Sequence, residues 1–164
     1  MQLKLKTLHQ DAVPAALERA QRYRLLNEPE QAESICRDVL RADPENQPAL
    51  ISLLLALTDQ FAHGLAQRVR QAKELAGRLQ GEYEQAYYSG VICERRARSQ
   101  LKQGVPEFVV YEWLQEAMEC YEKAEKLRPQ GDDNALLRWN SCARTIRDLN
   151  LEPSGEEAVQ HFLE

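Results

Sequence analysis

Along residues 29–50, PEQAESICRDVLRADPENQPAL, apolar positions recur every three or four residues and polar ones fill the gaps. Ala32, Cys36 and Val39 therefore share one stripe of a helix. Pro44 closes that helix, because proline clashes with the preceding turn and disfavours helical backbone in the residue before it. Residues 114–137, LQEAMECYEKAEKLRPQGDDNALL, repeat the spacing, with Ala117, Tyr121, Ala124 and Pro129 at the same intervals. After each proline come polar residues and a new apolar run, ALISLLLAL in one case and ALLRWNSCA in the other. Two matching blocks predict a recurring unit in which a helix ends, turns and is followed by a second helix folded back on it.

The same periodicity predicts helices at 12–26, 29–42, 47–62, 65–80, 82–103, 107–127, 133–149 and 155–163. Within AQRVRQAKELAGRLQ, Ala72, Ala76 and Leu79 fall on one side. EQAYYSGVICERRARSQL carries Gly90 at its narrow position and runs past the expected turn, and the next helix, opening at Gly104–Pro106, is also long. A short separate helix near 106–113 is the alternative. The first ten residues alternate Leu with Lys, the pattern of an extended or weakly ordered arm. At the other end Ser154 is placed to cap the last helix, with Glu157 in its first turn. Ala, Leu, Glu, Gln and Arg dominate, and there are only 7 Gly and 7 Pro, so an all-α chain is expected. Its 164 residues suit a single domain.

The blocks resemble tetratricopeptide repeats, a family built from paired antiparallel helices in units of about 34 residues. With Pro44 as a terminal proline, Ala20, Tyr23, Ala32, Cys36, Val39 and Pro44 all stand on the family's signature positions. The resemblance implies a right-handed stack of antiparallel helix pairs, about three to four repeats with elongated middle helices. Its parts would be an arm at 1–11, repeats at 13–46, 47–81 and 82–131, and a half repeat with a terminal capping helix at 132–164. Two positions depart from the pattern, since Leu54 and Trp139 stand where the family has Gly or Ala. From Pro44 to Pro129 there are 85 residues, more than two regular units need, which is why the middle helices are read as elongated.

What the resemblance implies for function is partner binding. In the family, the first helix of each unit lines a concave groove that grips a peptide or helix. Carried over, the groove-facing positions are Leu17, Gln21 and Arg24; Ile51, Leu55 and Thr58; Tyr87, Val91, Glu94, Arg95 and Arg98; and Leu136, Asn140 and Arg144. This mix of apolar side chains and arginines suits an amphipathic or acidic segment, because guanidinium groups hold carboxylates bidentately. Members that clamp a chaperone's terminal carboxylate do so with basic residues, but here those positions hold Leu17, Gln21, Ser52, Glu84 and Tyr88, so that mode is not expected. The expected function is a non-enzymatic scaffold or adaptor. The alternatives are a dedicated chaperone of a secretion system and, in a different class, a helical domain that binds a small ligand or catalyses a reaction.

Composition and motifs narrow the chemistry. A net charge of −5 argues against general nucleic-acid binding. No phosphate-binding, dinucleotide, nucleophile-elbow or zincin motif occurs, and no enzyme, cofactor or metal is expected. Glu157 and His161 share a helical face but are too few for a metal site. Cys36, Cys93, Cys120 and Cys142 are widely separated and read as packed thiols. For Cys93, beside Arg95 and Arg96, a lowered thiol pKa is the competing reading. ISLLLAL is too short to cross a bilayer, and MQLKLKTLHQ lacks an apolar run of signal-peptide length, so a cytoplasmic location is expected. FVVYEW, Phe108 to Trp113, puts three aromatics and two valines in six residues, and is either wrapped by the long helices or part of an interface.

Overall fold

In a computed structural model, residues 3–155 are described, and all their regular structure is helical. The chain divides into two compact units, residues 1–80 and 81–164. The first holds a short 3-10 turn at Gln10–Ala12 and helices α1 (Val13–Leu25), α2 (Pro29–Ala42), α3 (Gln47–Thr58) and α4 (Leu65–Gly77). The second holds α5 (Glu82–Lys102), α6 (Glu107–Lys126) and α7 (Asn134–Asp148). The expected helix at 155–163 lies, from residue 156 onward, outside the described residues.

Each boundary has a local chemical cause. α1, α2 and α3 carry proline in their first turn, where its missing N–H has no intrahelical role. Asn46 caps α3, its side-chain oxygen accepting from the Ala49 N–H at 2.9 Å. Three helices stop in the same way, with a left-handed residue just past the end. After α1 it is Asn27 (φ 59°), after α5 Gly104 (φ 73°) and after α7 Asn150 (φ 51°). In each case the next N–H reaches back five residues to a helix carbonyl: Glu28 to Tyr23 at 2.8 Å, Val105 to Gln100 at 3.1 Å and Leu151 to Ile146 at 3.0 Å. Gly104 thus sets the length of α5, which runs 21 residues. α6 follows as one continuous helix of 20 residues, so no separate helix forms near 106–113.

In the first unit α1 packs on α2, α2 on α3, α3 on α4 and α1 on α3. The connecting loops are short, which makes consecutive packed helices antiparallel neighbours. The spacing echo is also an echo of burial. Ala32, Cys36 and Val39 in α2, and Ala117, Tyr121 and Ala124 in α6, are each 0% exposed. Leu54 is also fully buried, although the resemblance places a small residue there. Residues 3–9 carry no regular secondary structure, His9 itself being extended, and Leu8 packs beside Val13, Val39 and Ala49. Gln10 ties it to α2, its amide nitrogen donating to the Ala42 carbonyl at 2.6 Å. α4 ends at Gly77, short of the expected 80, yet Leu79 beyond it is still buried.

In the second unit α6 packs on both α5 and α7. The closest approach on the α5/α6 seam is at Gly90. A Cβ there would lie 2.6 Å from the Tyr121 ring, which is itself fully buried and has nowhere to go. Of the FVVYEW run, Val110 is buried and Phe108, Val109, Tyr111 and Trp113 are half-buried, with the Arg96 guanidinium 3.9 Å above the Trp113 ring.

Gly90→Ala would therefore destabilise the protein by about 1–3 kcal/mol, since overpacking outweighs the gain in helix propensity. Gly77→Ala meets nothing within 4 Å and would be neutral or slightly stabilising. Urea midpoints at constant slope measure both, and a Gly90→Ala protein as stable as the parent would refute the tight seam.

Candidate functional site

The first unit brings together few of its expected groove residues as free groups. Leu17 joins the apolar cluster of Val13, Val39 and Ala49. Ile51 and Leu55 are half-buried, and Gln21 is exposed. Thr58 is buried, its hydroxyl donating to the Leu55 carbonyl at 2.8 Å. Arg24 is engaged in a forked pair with Asp59, 2.7 Å from Nε to one carboxylate oxygen and 3.3 Å from Nη2 to the other.

An open-sided cleft of about 620 Å³ lies elsewhere, between α2 and α4. Its lining includes apolar side chains Leu40, Leu53, Leu57 and Leu75, of which the last three are nearly fully buried. Arg37, Asp38 and Arg41 border it from α2, Gln71 and Glu74 from α4, and Arg78 from just past the end of α4. Leu5 of the arm also reaches it. Arg78 donates to the Pro44 carbonyl at 2.7 Å, and Arg37 to Glu33 at 2.7 Å. Arg41 is exposed and makes no hydrogen bond or ion pair among the described residues. Next to the cleft, Glu33 also takes Gln60 at 2.8 Å and Arg68 at 3.4 Å. Burial pushes its carboxyl up, but these donors and cations outweigh that and hold it below the ordinary carboxylate value.

The second unit gathers its polar side chains inward. Glu94, 4% exposed, accepts from the Tyr121 hydroxyl at 2.6 Å, from Arg98 Nε at 3.0 Å and from Arg138 Nη1 at 3.1 Å. Arg98 continues to Ser141 Oγ at 3.0 Å and Thr145 Oγ1 at 3.4 Å, and Arg138 Nε donates to the Tyr87 hydroxyl at 2.9 Å. Three helices are thus tied to one carboxylate. Burial pushes Glu94 up, but the Tyr121 hydroxyl, Arg138 and Arg98 pull it below its ordinary value. Tyr121 is driven the other way, raised by burial and by the Glu94 charge. Val91 is fully buried, while Arg95 and Leu136 are half-buried. Half-buried Asn140 and exposed Arg144 border a shallow hollow of about 300 Å³ with Ala143 and Arg147 on α7.

Of the expected residues, Tyr87, Glu94 and Arg98 meet in one network, whereas Asn140 and Arg144 remain on open surface. Sequence reasoning missed Arg138, Tyr121 and Asp59 as partners, and missed the cleft. Ion pairs at i, i+4, such as Glu33–Arg37 and Glu94–Arg98, were the one available signal. Among the described residues no three His, Cys, Asp or Glu converge to hold a metal, and no helix is long and apolar enough to cross a membrane. Comparison with protein-family models, curated proteins and solved structures gives no match.

Removing Glu94 leaves two guanidinium groups facing each other without their anion. Glu94→Ala is expected to cost about 3–5 kcal/mol in urea unfolding, the scale for breaking a buried pair from one side. The folded carboxyl titrates below the unfolded one, so its stabilisation is complete above the ordinary carboxylate value. That stabilisation is lost as pH falls through the depressed value. Glu94→Gln should flatten that acid limb of the stability profile, and an unchanged limb would show that the charge contributes nothing.

Proposed function

We propose that the chain is a non-enzymatic, tetratricopeptide-like scaffold that holds a segment of another protein, working in the cytoplasm. Its occupant is an amphipathic segment bearing acidic side chains. Helix pairs with matched buried small residues support the repeat reading, and the cleft between α2 and α4 carries the binding reading. Its volume is that of a ligand site, with an apolar lining for side chains and charged residues around it. Arg41 has no carboxylate of its own, so an incoming Asp or Glu gains a charge-assisted hydrogen bond without displacing an existing pair. Arg144 on α7 offers the same chemistry at a second, shallower place.

A photoactivatable residue at Gln71, which lines the cleft, tests the assignment inside the source cell. Irradiation should link it to a discrete segment of one protein. A synthetic peptide of that segment should bind the purified chain, with Arg41→Glu weakening the affinity about tenfold, or about 1.4 kcal/mol, and Arg144→Glu having little effect. Cross-links only from a probe at position 144 would move the site to α7. Native mass spectrometry showing a retained small molecule, with no protein cross-linked from either position, would overturn the scaffold reading.

A further inference from the structure

The arm that precedes α1 is fastened at one end. Leu8 packs beside Val13, Val39 and Ala49, and the Gln10 amide nitrogen donates to the Ala42 carbonyl at the end of α2. Leu40 belongs to two places, since it packs on that same cluster and also lines the cleft between α2 and α4. The anchor therefore stands beside the cleft. From Leu8 back to Leu5 the chain spans at most about 10 Å, and Leu5 is itself one of the lining residues.

Leu5 does not fill the cleft. It is 65% exposed and Leu3 is 77% exposed, while about 620 Å³ of the cleft stays open. An arm that served as a plug would bury its leucines there. Two large apolar side chains left in water beside an apolar cleft have surface to bury on whatever enters it.

Charge points to the kind of segment that enters. The chain as a whole carries −5, yet the charge around this cleft runs positive. Arg37, Arg41 and Arg78 line it against Asp38 and Glu74. Lys4 and Lys6, either side of Leu5 in the sequence, add two more cations. Both are exposed, and neither makes a hydrogen bond or ion pair among the described residues.

We propose that residues 3–7 are a strap that closes over an acidic, amphipathic segment lying in the α2/α4 cleft, Leu3 and Leu5 covering its apolar side and Lys4 and Lys6 meeting its carboxylates. The strap rests on the reading of that cleft as the binding site. Its tether through Leu8 and Gln10 keeps it at high effective concentration beside the cleft, so closure costs less than recruiting a separate chain. Closure acts mainly on release, because the strap must lift before the segment leaves.

The test titrates the full chain with 8-anilinonaphthalene-1-sulfonate, a probe that joins apolar rings to a fixed negative charge, and follows its fluorescence. Weaker binding by Arg41→Glu locates the probe in the cleft. Leu3→Ser/Leu5→Ser should raise the dissociation constant about fivefold. The urea midpoint should stay where it is, since both leucines are largely exposed in the free chain. Lys4→Glu/Lys6→Glu should weaken binding at low salt and less so at high salt. If Arg41→Glu weakens binding and the leucine variant does not, the strap is overturned and the cleft stands. Tighter binding by the leucine variant would make the arm a blocker and overturn the strap as well. No change in either variant would remove the cleft as the site and the strap with it.

Discussion

A carboxylate kept almost dry is the most demanding feature of this chain. Taking Glu94 out of water costs several kcal/mol, and the cost is offset only when donors meet it at short range. Here they come from three helices: Arg98 from its own α5, Tyr121 from α6 and Arg138 from α7. The positions of α6 and α7 against α5 are therefore linked. Tyr121 reaches the carboxylate because its ring lies against Gly90, where any side chain would collide with it. Ala117 and Ala124, one turn to either side of Tyr121, are fully buried, as a close helix approach requires. Glycine, tyrosine, glutamate and two arginines form one constraint, and a change in any of them is felt by the others.

The helices and their core were legible because the cause is local. A stripe of small and apolar residues at three- and four-residue spacing dictates which face turns inward, and Ala32, Cys36, Val39, Ala117, Tyr121 and Ala124 all obey it. The two long helices were also legible, from the surplus of residues between the prolines. The exact stops were less so. Pro44 acts as expected, one residue after the α2 cap, but α6 ends at Lys126, three residues before Pro129. α1 and α7 instead end at asparagines in left-handed geometry, a conformation that a propensity reading assigns chiefly to glycine.

The polar partners were not legible, because helix rotation and tertiary distance decide them. Arg24, Glu94 and Arg98 looked like groove residues by position. Arg24 lies 35 residues from Asp59, and Glu94 lies 44 from Arg138, and nothing local marks either pair. The cleft was missed for a different reason. The resemblance places a groove on the first helix of each expected pair, whereas the cleft lies between α2 and α4, the second helices, with α3 residues at its base. Leu53 and Leu57, buried members of the ALISLLLAL run, also form part of the cleft lining.

The guanidinium groups differ in how many of their donors are already engaged within the chain. Arg98 and Arg138 each spend donors on Glu94 and on further hydroxyls, so an incoming anion would have to compete with bonds already made in a poorly hydrated place. Arg24 is similarly committed to Asp59. Arg41 and Arg144 have no such partner among the described residues, and both stand exposed. An ion pair formed there in water is worth little alone. On the proposed reading it would act beside the α2/α4 cleft together with apolar burial, which is non-directional. On the proposed reading, the arginine would then select among apolar segments by charge. Leu53, Leu57 and Leu75 are already almost wholly buried, so on the proposed reading the apolar area left to cover lies with Leu40 and Leu5, and Arg41 would supply the discrimination.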